Sequence, residues 1–277
     1  MTVIAMTREM GSRGKDVALA LAEELGLHIV QHELAEHVAQ RLDVDARSVN
    51  HFLEGTASFF ERWGINANDL SLRTTEEILD LAEQGNVLFR GWGATHVLSA
   101  VPHAVCVRVC APMDARVDEL MTRVGLPDQS RALAEIRNSD EAHERALAGL
   151  FNASWDDPLV YDAVFNLGRM SVATCAAQIK ALVASEEYAP TKHSLGVLRH
   201  MQIEARVRAA LRASPNLRKA GPSFEASVDR CTGEVTLRGV VVDYAFKQEA
   251  EDLIRNIDGV NGVVDEMWVP QMVGFGP

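Results

Sequence analysis

The sequence lacks several features that mark large classes of protein. It has only four cysteines in 277 residues, and none are spaced as a C-x-x-C pair. They therefore predict reduced thiols rather than a disulfide framework or a metal site. No apolar run approaches the roughly 18 residues of a membrane span. The first residues lead directly into an apolar run and a helix, without the charged segment followed by an apolar segment that marks a signal peptide. This pattern predicts a cytoplasmic location.

Positive charge is also in deficit, with 27 Lys and Arg against 39 Asp and Glu and a net charge of −12. This balance argues against nonspecific nucleic-acid binding, which depends on neutralising phosphates. Six of the nine histidines show no metal-like pairing: His28, His37, His51, His96, His103 and His193. The composition, 47% hydrophobic and 24% charged, is that of a soluble globular protein. The length suits two domains of about 180 and about 75 residues.

The stretch MTREMGSRGKDV, from Met6 to Val17, carries the strongest functional signal. An apolar run typical of a buried strand precedes it, and a helical pattern follows. Its glycines let backbone N–H groups turn inward, and the helix start adds partial positive charge. Lys15 supplies a further charge for the phosphates of a nucleotide. The predicted phosphate-binding residues are Gly11, Ser12, Arg13, Gly14, Lys15, Asp16 and Val17.

This motif departs at two positions from the full phosphate loop, G-x-x-x-x-G-K-[ST]. Glu9 stands where the first glycine belongs, and Asp16 stands where Ser or Thr belongs. We expect Arg8 and Arg13 to offset the charge of Glu9. The residues alone leave two interpretations open: a phosphate site, or an ordinary glycine turn in which Lys15 is a solvated residue at a helix start.

Apolar runs over 27–30, 87–89, 104–109 and 162–166 predict four further strands. Five short strands alternating with helices predict a parallel sheet covered by helices on both faces. Ligands bind such sheets at the carboxyl ends of the strands. The glycine turn, Arg90 and the segment 166–169 all follow strand ends, so we expect them to converge on one cleft.

Two helical segments of this part bear on the site or on the fold. Segment 74–83 predicts a helix with Thr74 or Thr75 as its cap. Segment 130–150 predicts a helix rich in both charges. It is either a solvated helix with i,i+4 ion pairs or a mobile lid whose arginines close over phosphates.

Residues 1–184 resemble the nucleoside monophosphate kinases, and more closely the cytidylate kinase-like family. The matching stretches are R-x-x-G-S-x-G-K from Arg8, GNVLFRGWGA from Gly85, RVCAP from Arg108 with Arg116 behind it, I-R-x-x-D from Ile136, and W-x-D-P from Trp155 followed by Tyr161 and Asp162. The resemblance implies a P-loop fold with strand order 2-3-1-4-5. It also implies ATP as phosphoryl donor, Mg²⁺, and a pyrimidine nucleoside monophosphate as acceptor.

The resemblance also implies roles for individual residues. The donor phosphates would lie on the amides of the glycine turn and on Lys15, and arginines would act from the lid. The catalytic candidates are Lys15, Arg137 and Arg145, with Arg131 a weaker one. The candidates for binding the acceptor are Arg90 for its phosphate, Arg41, and His32 at the mouth of the cleft.

The sequence differs from an established cytidylate kinase near this site. Leu88-Phe89 stands where a carboxylate precedes the third-strand arginine, and Gln31-His32 stands where an Asp is expected. Asp16 replaces a metal-binding hydroxyl and either approaches Mg²⁺ itself or repels phosphate. The lid carries Ala142 and Glu144 at positions that are often basic.

The second part of the chain follows a segment, 185–200, that breaks periodicity and predicts a linker. Residues 201–270 predict a second domain, and 271–277 a tail. The order of the patterns is helix, two alternating strands, helix and final strand, which predicts a small αββαβ sheet with helices on one face. This part resembles a BON domain through GEVTLRG from Gly233 and GVNGVV from Gly259.

The BON resemblance implies phospholipid or small-ligand binding and protein contacts. From Met201 onward, nine Lys and Arg face eleven Asp and Glu, so attraction to an anionic membrane should be weak. Two hypotheses follow for the whole chain. It is a cytoplasmic nucleotide-binding phosphotransferase whose second domain serves regulation or docking. Alternatively, it senses a nucleotide without turnover, and the second domain binds a protein or lipid partner. A homo-oligomer is compatible with both.

Overall fold

The computed structural model of the chain describes residues 1–30, 32–54, 65–125, 128–217, 224–229 and 232–270. The chain divides into two units, Met1–Ser194 and Leu195–Pro277. The division falls in the first turn of a helix that begins at Lys192, within the segment that the sequence predicts as a linker. The domain limits given above stay predictions, and the tail 271–277 lies outside the described residues.

A five-stranded parallel sheet forms the centre of the first unit. Its strands are β1 (Val3–Arg8), β2 (His28–Val30), β3 (Val87–Arg90), β4 (Ala104–Cys110) and β5 (Ala163–Asn166). They lie in the order β2-β3-β1-β4-β5, which confirms the predicted topology. The three inner strands β3, β1 and β4 are mainly apolar and almost wholly buried, as expected for a parallel sheet covered on both faces.

Helices connect the strands and follow the sheet. They are α1 (Gly14–Leu25), α2 (His32–Leu42), α3 (Ala46–Leu53), α4 (Ala67–Gln84), α5 (Ala94–Leu98), α6 (Met113–Val124), α7 (Gln129–Phe151) and α8 (Val172–Val183). Short 3₁₀ turns occupy Pro158–Val160 and Glu186–Tyr188. The predicted cap at Thr74 or Thr75 is wrong. Asn66 caps α4 by accepting hydrogen bonds from Asn68 and Asp69, and Thr74 lies buried inside the helix.

The main core of this unit fixes the turn that joins β1 to α1. Ile4 and Met6 of β1 pack in one cluster with Val17 and Leu21 of α1, and Ile179 of α8 closes it. Because both sides of the turn are anchored in this apolar cluster, residues 9–13 are held at the carboxyl end of β1.

The second unit contains a separate three-stranded sheet. Its elements are α9 (Lys192–Ala213), β6 (Phe224–Val228), β7 (Glu234–Val240), α10 (Tyr244–Arg255) and β8 (Gly262–Trp268). β6 pairs with β7 antiparallel, and β7 pairs with β8 parallel. Ile203 and Val207 of α9 and Phe246 of α10 pack with Val235 and Leu237 of β7. The predicted αββαβ order is confirmed.

Three cysteines are free thiols in the first unit. Cys106 and Cys175 are buried, and burial raises the pKa of Cys175 to about 12. Cys231 lies outside the described residues. Among the helices that the structure describes, none combines the length and the apolar character needed to cross a membrane.

Candidate functional site

The turn after β1 presents backbone N–H groups at a helix start. Arg13 caps α1 in the left-handed conformation, with φ 61°, and Gly11 has φ 77°. Ser12 closes the turn, because its Oγ donates to the carbonyl oxygen of Glu9 at 2.8 Å. Within the described residues, the N–H groups of Gly11, Arg13 and Lys15 have no hydrogen-bond acceptor. These three donors at a helix N-terminus are suited to an anion.

The two glycines of the turn are required by close contacts. A Cβ on Gly11 would lie 2.5 Å from the carbonyl oxygen of Arg116. A Cβ on Gly14 would lie 2.7 Å from the Cβ of Arg8. The spaces next to both Cα atoms are therefore filled, and any side chain would displace the turn or Arg8.

Glu9 does not enter the turn. Its Oε1 accepts from Nη2 of Arg108 at 2.9 Å, and its Oε2 lies 3.4 Å from Nη1 of Arg116. The backbone N–H of Ala111 also donates to Oε2, at 3.3 Å. The expectation that Arg8 and Arg13 offset this carboxylate is wrong, because Arg108 and Arg116 reach it from β4 and α6.

Arg116 also connects the turn to α7. It is buried, and its Nε donates to the carbonyl oxygen of Met10 at 2.7 Å. Its Nη1 and Nη2 donate to the two carboxylate oxygens of Asp140 at 2.9 and 2.6 Å. We call Glu9, Arg108, Arg116 and Asp140 the anchoring network. Every charge in it is neutralised, so it acts as a support beneath the turn.

The other predicted residue of the turn, Asp16, faces a different arginine. Its carboxylate accepts from Nη2 of Arg123 at 2.7 and 2.9 Å, and Nε of Arg13 lies 3.4 Å away. Lys15 is exposed and has no ion pair with any described residue. No group of three or more His, Cys, Asp or Glu able to hold a metal ion occurs in the described ranges.

Arg90, predicted to hold the acceptor phosphate, ends β3 and lies beside β1. The pairing places it opposite Met6, and the N–H of Gly91 donates to the Met6 carbonyl oxygen at 2.9 Å. Arg90 has no acidic partner among the residues described, and burial lowers its pKa. Arg8, at the end of β1, also forms no salt bridge with a described residue, although the charge of Glu54 acts on it at longer range. Its Nε is buried without a hydrogen-bond partner.

His143 of α7 forms a wall beside these arginines. Its Nε2 would lie 3.8 Å from a Cβ on Gly91, and its ring stacks on Trp155 with centroids 5.8 Å apart. Burial, and then the charge of Arg8, lower the pKa of His143. The sequence reasoning missed His143 and assigned Arg8 only a compensating charge. The pattern of charges on segment 130–150 was the signal available for His143.

Arg41 lies in a different electrostatic environment from Arg90. Its guanidinium contacts three carboxylates of α4: Glu76 at 2.7 Å, Glu77 at 3.0 Å and Asp80 at 3.2 Å. This ion-pair cluster satisfies Arg41 without a ligand. His32 begins α2, but its side chain lies outside the described residues.

The arginines predicted to act from the lid are exposed on α7, a single 23-residue helix. Arg131 lies 3.6 Å from Glu135 and Arg145 lies 3.5 Å from Glu141, both as i,i+4 pairs. Arg137 has no ion pair in the described part of the chain. An α-helix turns about 100° per residue, so Arg137 lies about 60° and Arg145 about 140° around α7 from Asp140.

Comparison with known proteins identifies the larger part of the chain. Residues 3–169, more than half of it, match the sequence model of the cytidylate kinase-like family. The chain belongs to the cytidylate kinase-like family. Residues 201–271 match the model of the BON domain. Both resemblances predicted from the sequence are confirmed.

Individual relatives cover the first unit. A curated cytidylate kinase from Pyrobaculum islandicum is 25% identical over 177 residues, which are 62% of this chain and 87% of that protein. An uncharacterised protein from Eubacterium ventriosum superposes with a TM-score of 0.53 at 23% identity, covering 67% of this chain and 100% of that one. A shikimate kinase from Bacteroides thetaiotaomicron, at 14% identity, covers 66% of this chain and 99% of its own with a TM-score of 0.41.

As a member of the cytidylate kinase-like family, the chain keeps the glycine turn but changes the groups around it. Leu88 and Phe89, where the resemblance expects a carboxylate, are wholly buried in the sheet and offer no ligand atom. Asp16 is held by Arg123. Three cations near the strand ends, Arg8, Lys15 and Arg90, form no ion pair with a described residue, and we use the name unpaired cations for them.

Proposed function

We propose that the chain binds ATP at the turn between β1 and α1 and transfers its γ-phosphate to a pyrimidine nucleoside monophosphate or another small acceptor. The observation that carries the proposal is the turn itself. Three N–H groups without an acceptor among the described residues lie at a helix start beside the unpaired Lys15. Membership of the cytidylate kinase-like family supports the same chemistry.

Each candidate residue has a role that suits its surroundings. The amides of Gly11, Arg13 and Lys15 would bind donor phosphates, with Lys15 adding a charge. Arg137 would act from α7, since it is unpaired and lies nearer than Arg145 to the side of the helix held by Asp140. Phosphoryl transfer needs such positioning and positive charge rather than covalent chemistry from the protein.

Magnesium accompanies ATP in kinases of this kind, where it neutralises phosphate charge. Asp16, the candidate for holding it, is bound to Arg123, and the described residues contain no cluster that could serve as a metal site. The residues present do not fit a preformed magnesium site. We therefore assign the metal no step that depends on a side chain of this protein.

The second unit matches the BON model, and its described residues contain no group of three or more His, Cys, Asp or Glu that could hold a metal ion. We propose that it regulates the first unit or docks it to a protein or lipid partner, and that the chain works in the cytoplasm. The alternative function is a nucleotide sensor without turnover. It is favoured by one observation, the replacement of a metal-binding hydroxyl by Asp16 in a pair with Arg123.

The test is an assay of ATP consumption with CMP, dCMP and UMP as acceptors. We expect at least one acceptor to give a phosphorylated product, and Lys15→Ala to lower the rate by about 100-fold or more. Lys192→Ala is the matched control, because Lys192 is also an exposed lysine in the first turn of a helix. Nucleotide binding without product from any acceptor would support the sensor. No binding of ATP at all would exclude both.

A further inference from the structure

Two of the unpaired cations, Arg8 and Arg90, lie on the same face of the sheet. β1 and β3 are neighbours, and Met6 pairs with Arg90. Paired residues of parallel strands point to the same face, and Arg8 lies two residues beyond Met6, so its side chain points to that face too. Standard strand spacings place the two Cα atoms about 8 Å apart. At that separation both arginine side chains can contact the same small anion.

Within the described ranges, neither guanidinium lies against a carboxylate that would neutralise it in a salt bridge. Among the described residues neither Arg8 nor Arg90 has an ion pair, and the Nε of Arg8 is buried without an acceptor. Burial lowers the pKa of both, and the charge of Arg90 lowers that of Arg8 further, while Glu54 acts in the opposite direction. Arginine stays protonated under these conditions. Two partly buried like charges without a paired carboxylate raise the free energy of the folded state, and a bound anion would offset that cost.

The position of Arg8 relates this pair to the turn. Its Cβ and Cδ cover Gly14, at 2.7 and 3.4 Å from the place of a Cβ there, so its stem crosses the first residue of α1. On the other side, Nε2 of His143 borders Gly91, next to Arg90. The pair therefore lies between the glycine turn and α7. Arg41, by contrast, is already bound by three carboxylates of α4.

We propose that Arg8 and Arg90 together bind a phosphate group of a substrate, and that Arg8 fills the role which the resemblance assigns to Arg41. Two arginine forks on one face can give a phosphate several charge-assisted hydrogen bonds. Which substrate brings the phosphate, the acceptor or the donor, rests on the proposed function. The presence of the anion site does not.

The experiment is calorimetric titration of the full chain with inorganic phosphate, CMP and ATP–Mg²⁺ in separate runs. The variants are Arg8→Gln and Arg90→Gln, and Arg41→Gln is the control. We expect the intact chain to bind phosphate, each of the two variants to weaken it at least about tenfold, and the control to change it less than about twofold. Because both arginines contact one anion, the double variant should lose less than the product of the single losses.

The separate titrations show whether the bound phosphate group belongs to the acceptor or to the donor nucleotide. Loss of CMP binding with ATP–Mg²⁺ binding intact assigns the site to the acceptor, and the reverse assigns it to the donor. No binding of phosphate, CMP or ATP–Mg²⁺ by the intact chain overturns the inference, as does unchanged affinity in Arg8→Gln. A further outcome is phosphate binding that depends on Arg8 and Arg90 while no acceptor is phosphorylated. That result would contradict the proposed phosphotransferase function and support the anion site.

A folding defect in Arg8→Gln would not end the test, because Arg8→Lys keeps the stem over Gly14 and the charge. A lysine lacks the planar fork, so we expect the Arg8→Lys chain to fold and to bind phosphate more weakly than the intact chain. Affinities equal to those of the intact chain in both Arg8→Lys and Arg90→Gln would overturn the inference. Circular dichroism of each variant checks the fold.

Discussion

The anchoring network and the unpaired cations flank the same turn, yet they differ in every electrostatic respect. Arg116 and Arg108 are held by Glu9, Asp140 and Asp156 and by carbonyl oxygens. Arg8, Lys15 and Arg90 form no salt bridge with any described carboxylate, although the longer-range charge of Glu54 acts on Arg8. The charges of the anchoring network are paired with groups of the protein, whereas the unpaired cations can bind an anionic ligand.

The difference indicates how the two sides of the turn are used. A buried arginine with two carboxylates and a carbonyl oxygen is a structural group, since removing it would leave buried charges behind. An arginine that is partly buried and unpaired raises the free energy of the folded state, and a bound anion would remove that cost. The comparison thus separates residues that build the turn from residues that act at it.

The largest effect is expected from Arg116→Met in the anchoring network. The change leaves Glu9 and Asp140 with less compensation beneath the turn, so we expect the free energy of unfolding to fall by about 3–5 kcal/mol. Urea unfolding at neutral pH measures it. Arg123→Met is the control, because Arg123 is 41% exposed and its pairs should contribute at most about 1 kcal/mol. Equal losses in the two variants would contradict the structural role of Arg116.

A smaller but more local effect is expected from Gly11→Ala. Gly11 and Gly26 both have positive φ, which should cost alanine about 1–2 kcal/mol at either position. Only at Gly11 does the added Cβ meet an atom, the carbonyl oxygen of Arg116 at 2.5 Å, whereas nothing lies within 4 Å at Gly26. We therefore expect Gly11→Ala to cost about 1–3 kcal/mol more than Gly26→Ala.

The same pair of glycine variants tests the turn as a binding site. Titration with ATP should show that Gly11→Ala abolishes binding while Gly26→Ala retains it, because only the first change displaces the amides. Retained ATP affinity in a folded Gly11→Ala chain would show that these N–H groups do not bind the nucleotide.

A modest effect is expected from Asp16→Asn. The partners Arg13 and Arg123 are half exposed, so the free energy of unfolding should change by less than about 1 kcal/mol. Because Asp16 is bound to Arg123, we expect ATP affinity to change by the same factor with and without Mg²⁺. A loss of ATP affinity seen only with Mg²⁺ would instead identify Asp16 as a metal ligand. It would contradict our grouping of Asp16 with the residues that have a structural role.

The smallest effect is expected from Thr74→Val. This variant tests whether a buried polar group without a hydrogen-bond partner is by itself a sign of a binding site. The Oγ1 of Thr74 is buried in α4 without a hydrogen-bond partner. Replacing it with a methyl group of similar shape should leave the free energy of unfolding unchanged or raise it by up to about 1 kcal/mol. Phosphate binding should not change, in contrast to the arginine variants. A tenfold loss of phosphate affinity would show that the unpaired state alone does not locate the site.

Much of the fold could be predicted from local patterns. The apolar runs gave the five strands, and helix α7 runs over Gln129–Phe151 where its pattern predicts it. The cap of α4 could not be read the same way. Asn66 and Thr74 both have side chains suited to capping, and only the packing of the helix decides that Asn66 lies at its end.

The charges around the site were the part that sequence reasoning could not assign. Glu9 was matched with the arginines nearest to it along the chain, but its partners lie 99 and 107 residues away. Arg41 was given to the acceptor because of the resemblance, and the carboxylates of α4 occupy it. Neither pairing leaves a periodic signal in the sequence.

By itself, the sequence determined the alternation of strands and helices, the glycine turn that follows β1, and the kinship of residues 3–169. These depend on interactions between near neighbours, on side-chain periodicity and on backbone freedom at Gly11 and Gly14. The tertiary structure alone decided which arginines are paired and which are not. Coulombic energy depends on distance through space and on burial, and both are set only when β4, α6 and α7 close around the turn.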